Sequence, residues 1–275
     1  MANPINLSAA VRDNLLTLQN SAALIGKTQS RLSSGLSVNS AIDDAAAFFT
    51  AKALSNNAKD LDDLKLAIDL GISSIQSAID GIDAITELVS QAKGLSAAAK
   101  ATGSTNERST LAVQFNSLLG QITNLANDSS FNGTNLLKQT PDNLAVVFNS
   151  TNTTNLTITG LDSTAGAAGI NLAAATNFFA DNAAIEVALT NVGTALSTLR
   201  SNAATLGSNS TILSTRLDFT KNLVNTLEGG EGKLTLADLN AESANLLALQ
   251  TRQQLGINSL ALAAQSERSV LALFG

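Results

Sequence analysis

Histidine and cysteine, which carry much of the chemistry of enzyme active sites, are absent from this chain of 275 residues. Their absence excludes catalytic triads that contain either residue and the usual zinc sites. The chemistry that remains is a Ser–Lys pair or two cooperating carboxylates. The aspartates that could supply such carboxylates are Asp43–Asp44, Asp60, Asp62–Asp63 and Asp80 with Asp83.

Asp80 and Asp83 are three residues apart, so a helix places both carboxylates on one side. Paired carboxylates without a pocket are ordinary on a solvated helix surface. No glycine-rich phosphate-binding loop follows a strand pattern in the sequence. We therefore interpret the aspartates as surface residues and expect no catalytic residue, no cofactor and no metal ion. An enzyme is the least favoured class of function.

Charge and hydropathy limit the partners of the chain. The net charge is −6 and only 16 basic residues are present, whereas nucleic-acid binding needs clustered Lys and Arg. No stretch of about 18 apolar residues occurs, so we expect no membrane partner. The segment Met1–Asp13 lacks a basic region followed by an apolar stretch. If the protein leaves the cell, we expect export without a cleavable signal peptide.

Both ends of the chain carry heptad patterns that predict coiled-coil helices. The N-terminal core positions, or seam, are Val11, Leu15, Leu18, Ala22, Ile25, Gln29 and Leu32. The C-terminal seam is Leu246, Leu249, Gln253, Gly256, Leu260, Ala263, Glu267, Val270 and Phe274. Polar and small residues weaken both seams. We expect these helices to pair with each other and with neighbouring copies, so that the seams form an assembly interface.

Further heptad patterns predict three central helices over residues 47–89, 111–125 and 185–227. At about 1.5 Å per residue, the last of these is roughly 65 Å long. A compact chain of this length has a radius of gyration of about 19 Å, which for a sphere corresponds to a diameter near 50 Å. The sequence therefore predicts a mainly α protein, an elongated rod of long antiparallel helices with a terminal two-helix coiled coil.

Local signals predict where the helices begin and end. Capping boxes at Ser40-x-x-Asp43, Ser104-x-x-Glu107 and Thr235-x-x-Asp238 predict the starts of the second, third and last helices. The run Gly229-Gly230-Glu231-Gly232 predicts a helix break. Residues 144–159 alternate apolar and polar side chains and predict a small β-hairpin, followed by a loop.

Several segments of the chain resemble bacterial flagellins. The segment Arg31–Ala47, RLSSGLSVNSAIDDAAA, resembles the N-terminal flagellin signature, and Phe131–Leu137 looks like the turn that closes the N-terminal core half. The segments that resemble the C-terminal signature are Glu242–Asn245, Gln253–Gly256 and Val270–Gly275. The resemblance covers about 1–138 and 181–275.

The resemblance implies a structural subunit that polymerises into the extracellular flagellar filament for swimming motility. It implies an inner coiled-coil domain of residues 1–40 and 233–275, a helical rod core of 41–138 and 181–232, and a short outward-facing segment over 139–180. The implied partners are other copies of the chain or other flagellins, a flagellar export chaperone of the type III apparatus, and hook-associated and cap proteins. A hook–filament junction protein and a secreted helical adhesin are the alternatives.

Two surface features carry further expectations. Hydroxyl groups in the Asn- and Thr-rich segment are candidate O-glycosylation acceptors, namely Ser150, Thr151, Thr153 and Thr154. In flagellins, the strip recognised by an innate receptor of the Toll-like class carries an Arg-Val-Arg-Glu-Leu pattern. The matching stretch here reads Gln91, Ala92, Lys93, Gly94 and Leu95. We expect this degenerate strip to weaken recognition by the receptor.

Overall fold

The computed structural model describes residues 9–175, 179 and 181–274, without the side chains of Ala10, Glu267 and residues 270–274. The described part contains five helices and a two-stranded antiparallel sheet. In chain order the elements are α1 (Ala9–Ser34), α2 (Ala45–Ala101), α3 (Thr105–Asp128), β1 (Leu144–Val147), β2 (Asn155–Ile158), α4 (Asn182–Thr235) and α5 (Leu239–Phe274). The predicted mainly α fold with a small β-hairpin and a pair of terminal helices is confirmed.

Residue contacts divide the chain into two compact units. The terminal unit comprises residues 1–56 and 226–275, and the central unit comprises residues 57–225. The borders between these units lie inside α2 and α4, whereas the sequence patterns place the domain borders near residues 40 and 233. The division into inner, core and outward-facing parts stays a prediction.

The core of the central unit is built from the apolar faces of α2, α3 and α4. Residues at predicted heptad positions are fully buried there, including Ile75 on α2, Phe115 on α3 and Val192 on α4. The ring of Phe115 also packs edge-on against Phe179, with centroids 5.5 Å apart. Burial of each large apolar side chain stabilises the fold by about 1.5–3 kcal/mol, so this unit supplies its own core.

The β-hairpin packs on α2. Strands β1 and β2 pair in a register that places Leu144 opposite Ile158. Val146 and Ile158 are buried while their strand neighbours are more exposed, which is the predicted alternation. A Cβ atom at Gly71 of α2 would lie 2.7 Å from Cγ2 of Val146. Glycine is therefore needed at position 71 for the hairpin to approach this closely.

The buried Asn135 fixes the connection between α3 and β1. Its Nδ2 donates to the carbonyl oxygens of Ala126 and the following residue, and its Oδ1 accepts from the N–H groups of Leu137 and Lys138. Asp142 accepts a hydrogen bond from the Asn135 N–H at 2.9 Å and pairs with Lys138 Nζ at 2.7 Å. The Lys138 contact, followed by the Asn135 N–H, lowers the pKa of Asp142.

The predicted helix break at Gly229-Gly230-Glu231-Gly232 is wrong, because α4 continues to Thr235. Each glycine costs a helix interior about 1 kcal/mol relative to alanine, which does not by itself end a helix. Two of the three glycines have close neighbours, since a Cβ atom at Gly232 would lie 3.1 Å from Cδ1 of Leu236. A Cβ atom at Gly230 would lie 3.2 Å from Cδ1 of Leu54, so the small residue lets α4 approach α2 closely.

Aspartates cap α2 and α5 in place of the predicted hydroxyl residues. Ser104 caps α3 as predicted. However, α2 is capped by Asp44 and not by Ser40, since Asp44 Oδ1 accepts from the N–H three residues on at 3.0 Å. Likewise α5 is capped by Asp238, whereas Thr235 ends α4. A carboxylate both accepts these hydrogen bonds and complements the positive end of the helix dipole.

Candidate assembly surface

The two terminal helices pack against each other within the terminal unit. Arg31, near the end of α1, lies beside Glu242, near the start of α5. Leu18, in the middle of α1, lies beside Gly256 in the middle of α5. The helices therefore run antiparallel, and the two ends of the chain pair as the heptad patterns predict.

Burial along α5 follows the predicted seam. The seam positions whose side chains are described are half-buried, namely Leu246, Leu249, Gln253, Gly256, Leu260 and Ala263, whereas the residues between them are exposed. The side chains of Glu267, Val270 and Phe274 lie outside the described part. Because no described seam position from Leu246 onward is fully buried, α1 covers this seam only in part.

Burial along α1 departs from the prediction at every second position. The positions that are buried or half-buried as expected are Val11, Leu18, Ile25 and Leu32. The seam positions that are exposed in the α1–α5 pair are Leu15, Ala22 and Gln29, and their place in an assembly interface stays a prediction. The residues that are buried or half-buried in their place are Asn14, Ser21 and Thr28.

Small side chains explain this register of α1. Ser21 and Thr28 are 3% and 7% exposed, and Ser21 Oγ donates to the Thr17 carbonyl oxygen at 2.9 Å. A hydroxyl that is satisfied within its own helix can be buried at little cost. On α5, a Cβ atom at Gly256 would lie only 2.8 Å from Cδ2 of Leu18. Small residues on both helices thus permit close packing and leave larger ones, such as Leu15, outside.

An ion pair that was not predicted from the sequence joins the first residues of two signature segments, Arg31–Ala47 and Glu242–Asn245. Arg31 Nη1 lies 2.8 Å from Glu242 Oε1, and Glu242 is only 9% exposed. The signal was present in the sequence as opposite charges in two segments that were both singled out. Because the pair is mostly shielded from water, loss of either partner would leave a buried charge without its counter-ion.

Backbone hydrogen bonds hold the chain next to this ion pair. Leu36 and Leu236 form an isolated antiparallel bridge. The N–H of Ser37 donates to the Thr235 carbonyl oxygen at 2.7 Å, and the N–H of Ala237 donates to the Gly35 carbonyl oxygen at 2.9 Å. Gly35 has a φ of 72°, which favours glycine, and it ends α1 so that the chain can turn into the bridge.

Several large apolar side chains of the helix pair are exposed. The ones that are exposed are Leu15, Leu16, Leu24, Leu239, Leu247, Leu255, Ile257 and Leu262. Contiguous apolar surface on a soluble protein marks a site of interaction with another molecule. The terminal helix pair is therefore a candidate assembly surface.

The aspartates considered above for catalysis have ordinary surface roles. Asp62 pairs with Lys65 at 2.7 Å, and Asp80 accepts from Gln76 Nε2 at 2.9 Å. Within the described ranges, no three carboxylates are grouped so that they could hold a metal ion. In the same part of the chain, no helix combines the length and apolarity needed to cross a membrane.

Comparison with protein families identifies both halves of the helical part. Residues 5–142 match the bacterial flagellin N-terminal helical region, and residues 189–274 match the bacterial flagellin C-terminal helical region. The chain belongs to the bacterial flagellin family. Flagellins are structural proteins of an extracellular filament, and this flagellin is a filament subunit.

The similarity extends over nearly the whole length of several known flagellins. This flagellin is 36% identical to flagellin FljM of Caulobacter vibrioides over 99% of this chain and 98% of the relative. It is 31% identical to a flagellin of Brucella melitensis over 100% of this chain and 99% of the relative. A crystal structure of Bacillus cereus flagellin matches 55% of this chain and 86% of that chain, with a TM-score of 0.47 and 20% identity. Neither of the first two relatives carries a large unmatched outer domain.

The candidate glycosylation residues of this flagellin lie in the loop between β1 and β2. Ser150, Thr151, Thr153 and Thr154 are all exposed. Asn149 Oδ1 accepts from the N–H groups of Thr153 and Thr154, which orders the loop tip. The hydroxyls are accessible, and their glycosylation stays a prediction.

The degenerate receptor strip of this flagellin lies on α2 in the central unit. Gln91, Lys93 and Gly94 are exposed, whereas Leu95 is half-buried. Gln91, Gly94 and Leu95 also line a groove between α2 and α3. A Cβ atom at Gly94 would meet no other atom within 4 Å, so packing does not require glycine there. The effect of this strip on recognition stays a prediction.

Proposed function

We propose that this flagellin polymerises through its terminal unit, with the α1–α5 pair forming the inner coiled-coil layer of the filament. The observation that carries the proposal is the exposed apolar surface of that pair, for example Leu255 at 63% and Leu262 at 70% exposure. Neighbouring copies would cover these side chains and gain the hydrophobic free energy that the isolated pair lacks. Both seams, with Val270 and Phe274, belong to the proposed interface.

The proposal assigns a role to each part of the chain. Residues 1–40 and 233–275 form the inner domain, and residues 41–138 and 181–232 form the surrounding rod. Residues 139–180 face outward, because this part is Asn- and Thr-rich and carries the exposed hairpin loop. Exposed loop tips tolerate insertion better than helices do.

A substitution at Leu262 tests the proposed interface. Because this side chain is already 70% exposed, Leu262→Glu should leave thermal unfolding of the monomer unchanged. The same change should prevent growth from filament seeds, measured by negative-stain microscopy. Leu262→Met is the matched control, since it keeps an apolar side chain of similar volume. Growth of Leu262→Glu filaments at the unmodified rate would contradict the proposal.

Seam substitutions extend the test. Charged residues at Leu260 or Phe274 should also stop polymerisation while the central unit keeps its thermal transition. Loss of that transition would show instead that these residues stabilise the core of the monomer.

The exposed apolar surface also supports the proposal that the chain binds other flagellar proteins. Before assembly these side chains would promote aggregation, so we propose that an export chaperone covers the terminal helices in the cell. Hook-associated and cap proteins would contact the same surface at the ends of the filament. We further propose export through the flagellar apparatus without a cleavable signal peptide, and no enzymatic activity. Co-purification of a chaperone with the full chain, and its loss with Leu262→Glu, would test the chaperone contact.

A further inference from the structure

Ile42 is the most exposed large apolar residue in the described part of the chain. Its relative exposure is 97%, so its side chain makes almost no contact within its own molecule. It lies in the turn between α1 and α2, within the terminal unit. Ile42 therefore contributes almost no burial to the stability of the monomer.

The turn that carries Ile42 is held by Asp43. Asp43 Oδ2 accepts from the N–H groups of Asn39 and Ser40 at 3.3 and 3.2 Å and from the Ser40 hydroxyl at 3.1 Å. Asp43 Oδ1 lies 3.4 Å from Lys27 Nζ on α1. Ile42 is therefore presented on a fixed loop, which reduces the entropy lost when it contacts a partner.

A groove in the same unit has room for an isoleucine side chain, since its volume is about 230 Å³. Its apolar part is formed by Leu36, Val38, Phe48 and Ala51, and its polar part by Asn39, Lys52, Glu231 and Thr235. An apolar cavity of about 150 Å³ is enough to hold benzene, which is larger than the four-carbon side chain of isoleucine. Since Ile42 is 97% exposed, it does not occupy the groove of its own chain.

We propose that Ile42 of one copy inserts into the Leu36–Phe48 groove of a neighbouring copy in the filament. A helical polymer needs a heterologous interface, in which two different surfaces of the same chain meet. The protruding Ile42 and the groove are two such surfaces on one unit. This inference rests on the proposed assembly through the terminal unit, and it names a specific contact within that interface.

Substitution of Ile42 gives the first test. Ile42→Ser should leave the melting temperature of the monomer unchanged and raise the critical concentration for polymerisation by about tenfold or more. Ile42→Leu should restore polymerisation because it keeps the apolar volume. An unchanged critical concentration for Ile42→Ser, with Leu262→Glu still unable to polymerise, would overturn the Ile42 contact and leave the proposed assembly intact. If Leu262→Glu polymerises normally, the proposed assembly itself fails.

Cross-linking gives the second test, because the natural chain has no cysteine. Chains carrying Ile42→Cys are mixed with chains carrying Val38→Cys, polymerised and oxidised. A disulfide dimer should form in filaments and not in the unpolymerised mixture, since a disulfide requires Cα atoms about 4.4–6.8 Å apart. Ile42→Cys mixed with Leu66→Cys, whose side chain is exposed on the central unit, is the control. Equal dimer yield in the control, or no dimer in the filaments, would overturn the proposal. Loss of chaperone binding by Ile42→Ser with normal polymerisation would assign Ile42 to the chaperone and also overturn it.

Discussion

The central and terminal units use the same heptad spacing but bury very different amounts of apolar surface. In the central unit, large side chains such as Phe115, Ile75 and Ile185 are completely buried. In the described part of the terminal unit, the buried apolar residues are Val11 and Ala51, and the other buried side chains are polar. None of the leucines described in the terminal unit is fully buried, and about half of them are exposed.

This difference separates folding from assembly. A two-helix pair with a weak seam gains little stability alone, because most of the stability of a helix in a protein comes from packing of its apolar face. In the proposed assembly, the central unit supplies the stability of the monomer, and the terminal unit keeps its apolar surface for neighbouring copies. A filament subunit needs both properties, since a terminal pair that satisfied itself would leave little free energy for polymerisation.

Truncating one large apolar side chain in each region should give the clearest contrast in stability. Phe115→Ala should lower the free energy of unfolding of the monomer by about 3–5 kcal/mol, because it leaves a cavity in a closed core. Leu255→Ala, at a residue that is 63% exposed, should change it by about 0.5 kcal/mol or less. Chemical denaturation of both variants measures the difference. Equal losses would show that the terminal pair stabilises the monomer as much as the core does.

The receptor strip, residues 91–95, gives a prediction about the surface of the central unit that can be measured on the unassembled monomer. Lys93 cannot reproduce the planar fork of an arginine, and Gln91 and Gly94 remove two further charges of the family pattern. A buried arginine at an interface is often worth about 2 kcal/mol or more. We therefore expect potency on the Toll-like receptor to fall by orders of magnitude in a reporter assay with purified monomer. Potency equal to that of a flagellin with the full pattern would refute this expectation.

Two glycines of α4 in the terminal unit give a further prediction, with a smaller expected change in the free energy of unfolding. A Cβ atom at Gly229 would meet nothing within 4 Å, whereas one at Gly230 would press against Leu54. Gly229→Ala should therefore raise the free energy of unfolding by about 0.5–1 kcal/mol through helix propensity. Gly230→Ala is the matched control and should gain less or lose stability. Thermal unfolding that gives the same gain for both variants would show that the α2–α4 contact at Gly230 is unimportant.

Acid titration tests one carboxylate of the central unit. The pKa of Asp142 in the central unit is lowered by Lys138 and by the Asn135 N–H. A lowered pKa in the folded state adds stability that is present above the unfolded pKa of 3.8 and is lost as the pH falls through the folded value. Asp142→Asn should therefore flatten the fall in stability of the central unit below about pH 4. If the stability of this variant falls below about pH 4 as steeply as that of the unmodified chain, Asp142 does not contribute to acid unfolding.

Heptad counting predicts a position best where large residues meet in a closed core. The core faces of α2, α3 and α4 were predictable because isoleucine, leucine and phenylalanine recur at heptad spacing and have no other place to be buried. The α5 seam followed the same counting. On α1, the choice between Leu15 and Asn14 was decided by packing against α5, where small residues allow the closer approach. Apolarity alone favoured Leu15 for the contact with α5, whereas Asn14 is the residue that is half-buried there.

Features that depend on a partner element could not be decided from the sequence alone. Gly230 suits the continuous α4 because Leu54 of another helix lies beside it. The Arg31–Glu242 pair joins residues that lie far apart in the chain. Ile42 carried no periodic signal because it lies in a turn. In each case the deciding contact, or its absence, is three-dimensional.

Hydrogen exchange on monomer and filament tests the central claim most directly. Backbone amides of the terminal segments, about residues 1–35 and 235–275, should exchange rapidly in the monomer and slowly in the filament, because assembly supplies their missing contacts. Amides of the core helices in the central unit should be protected in both states. Equal protection of the terminal segments in monomer and filament would contradict the claim that the terminal unit is completed by its neighbours.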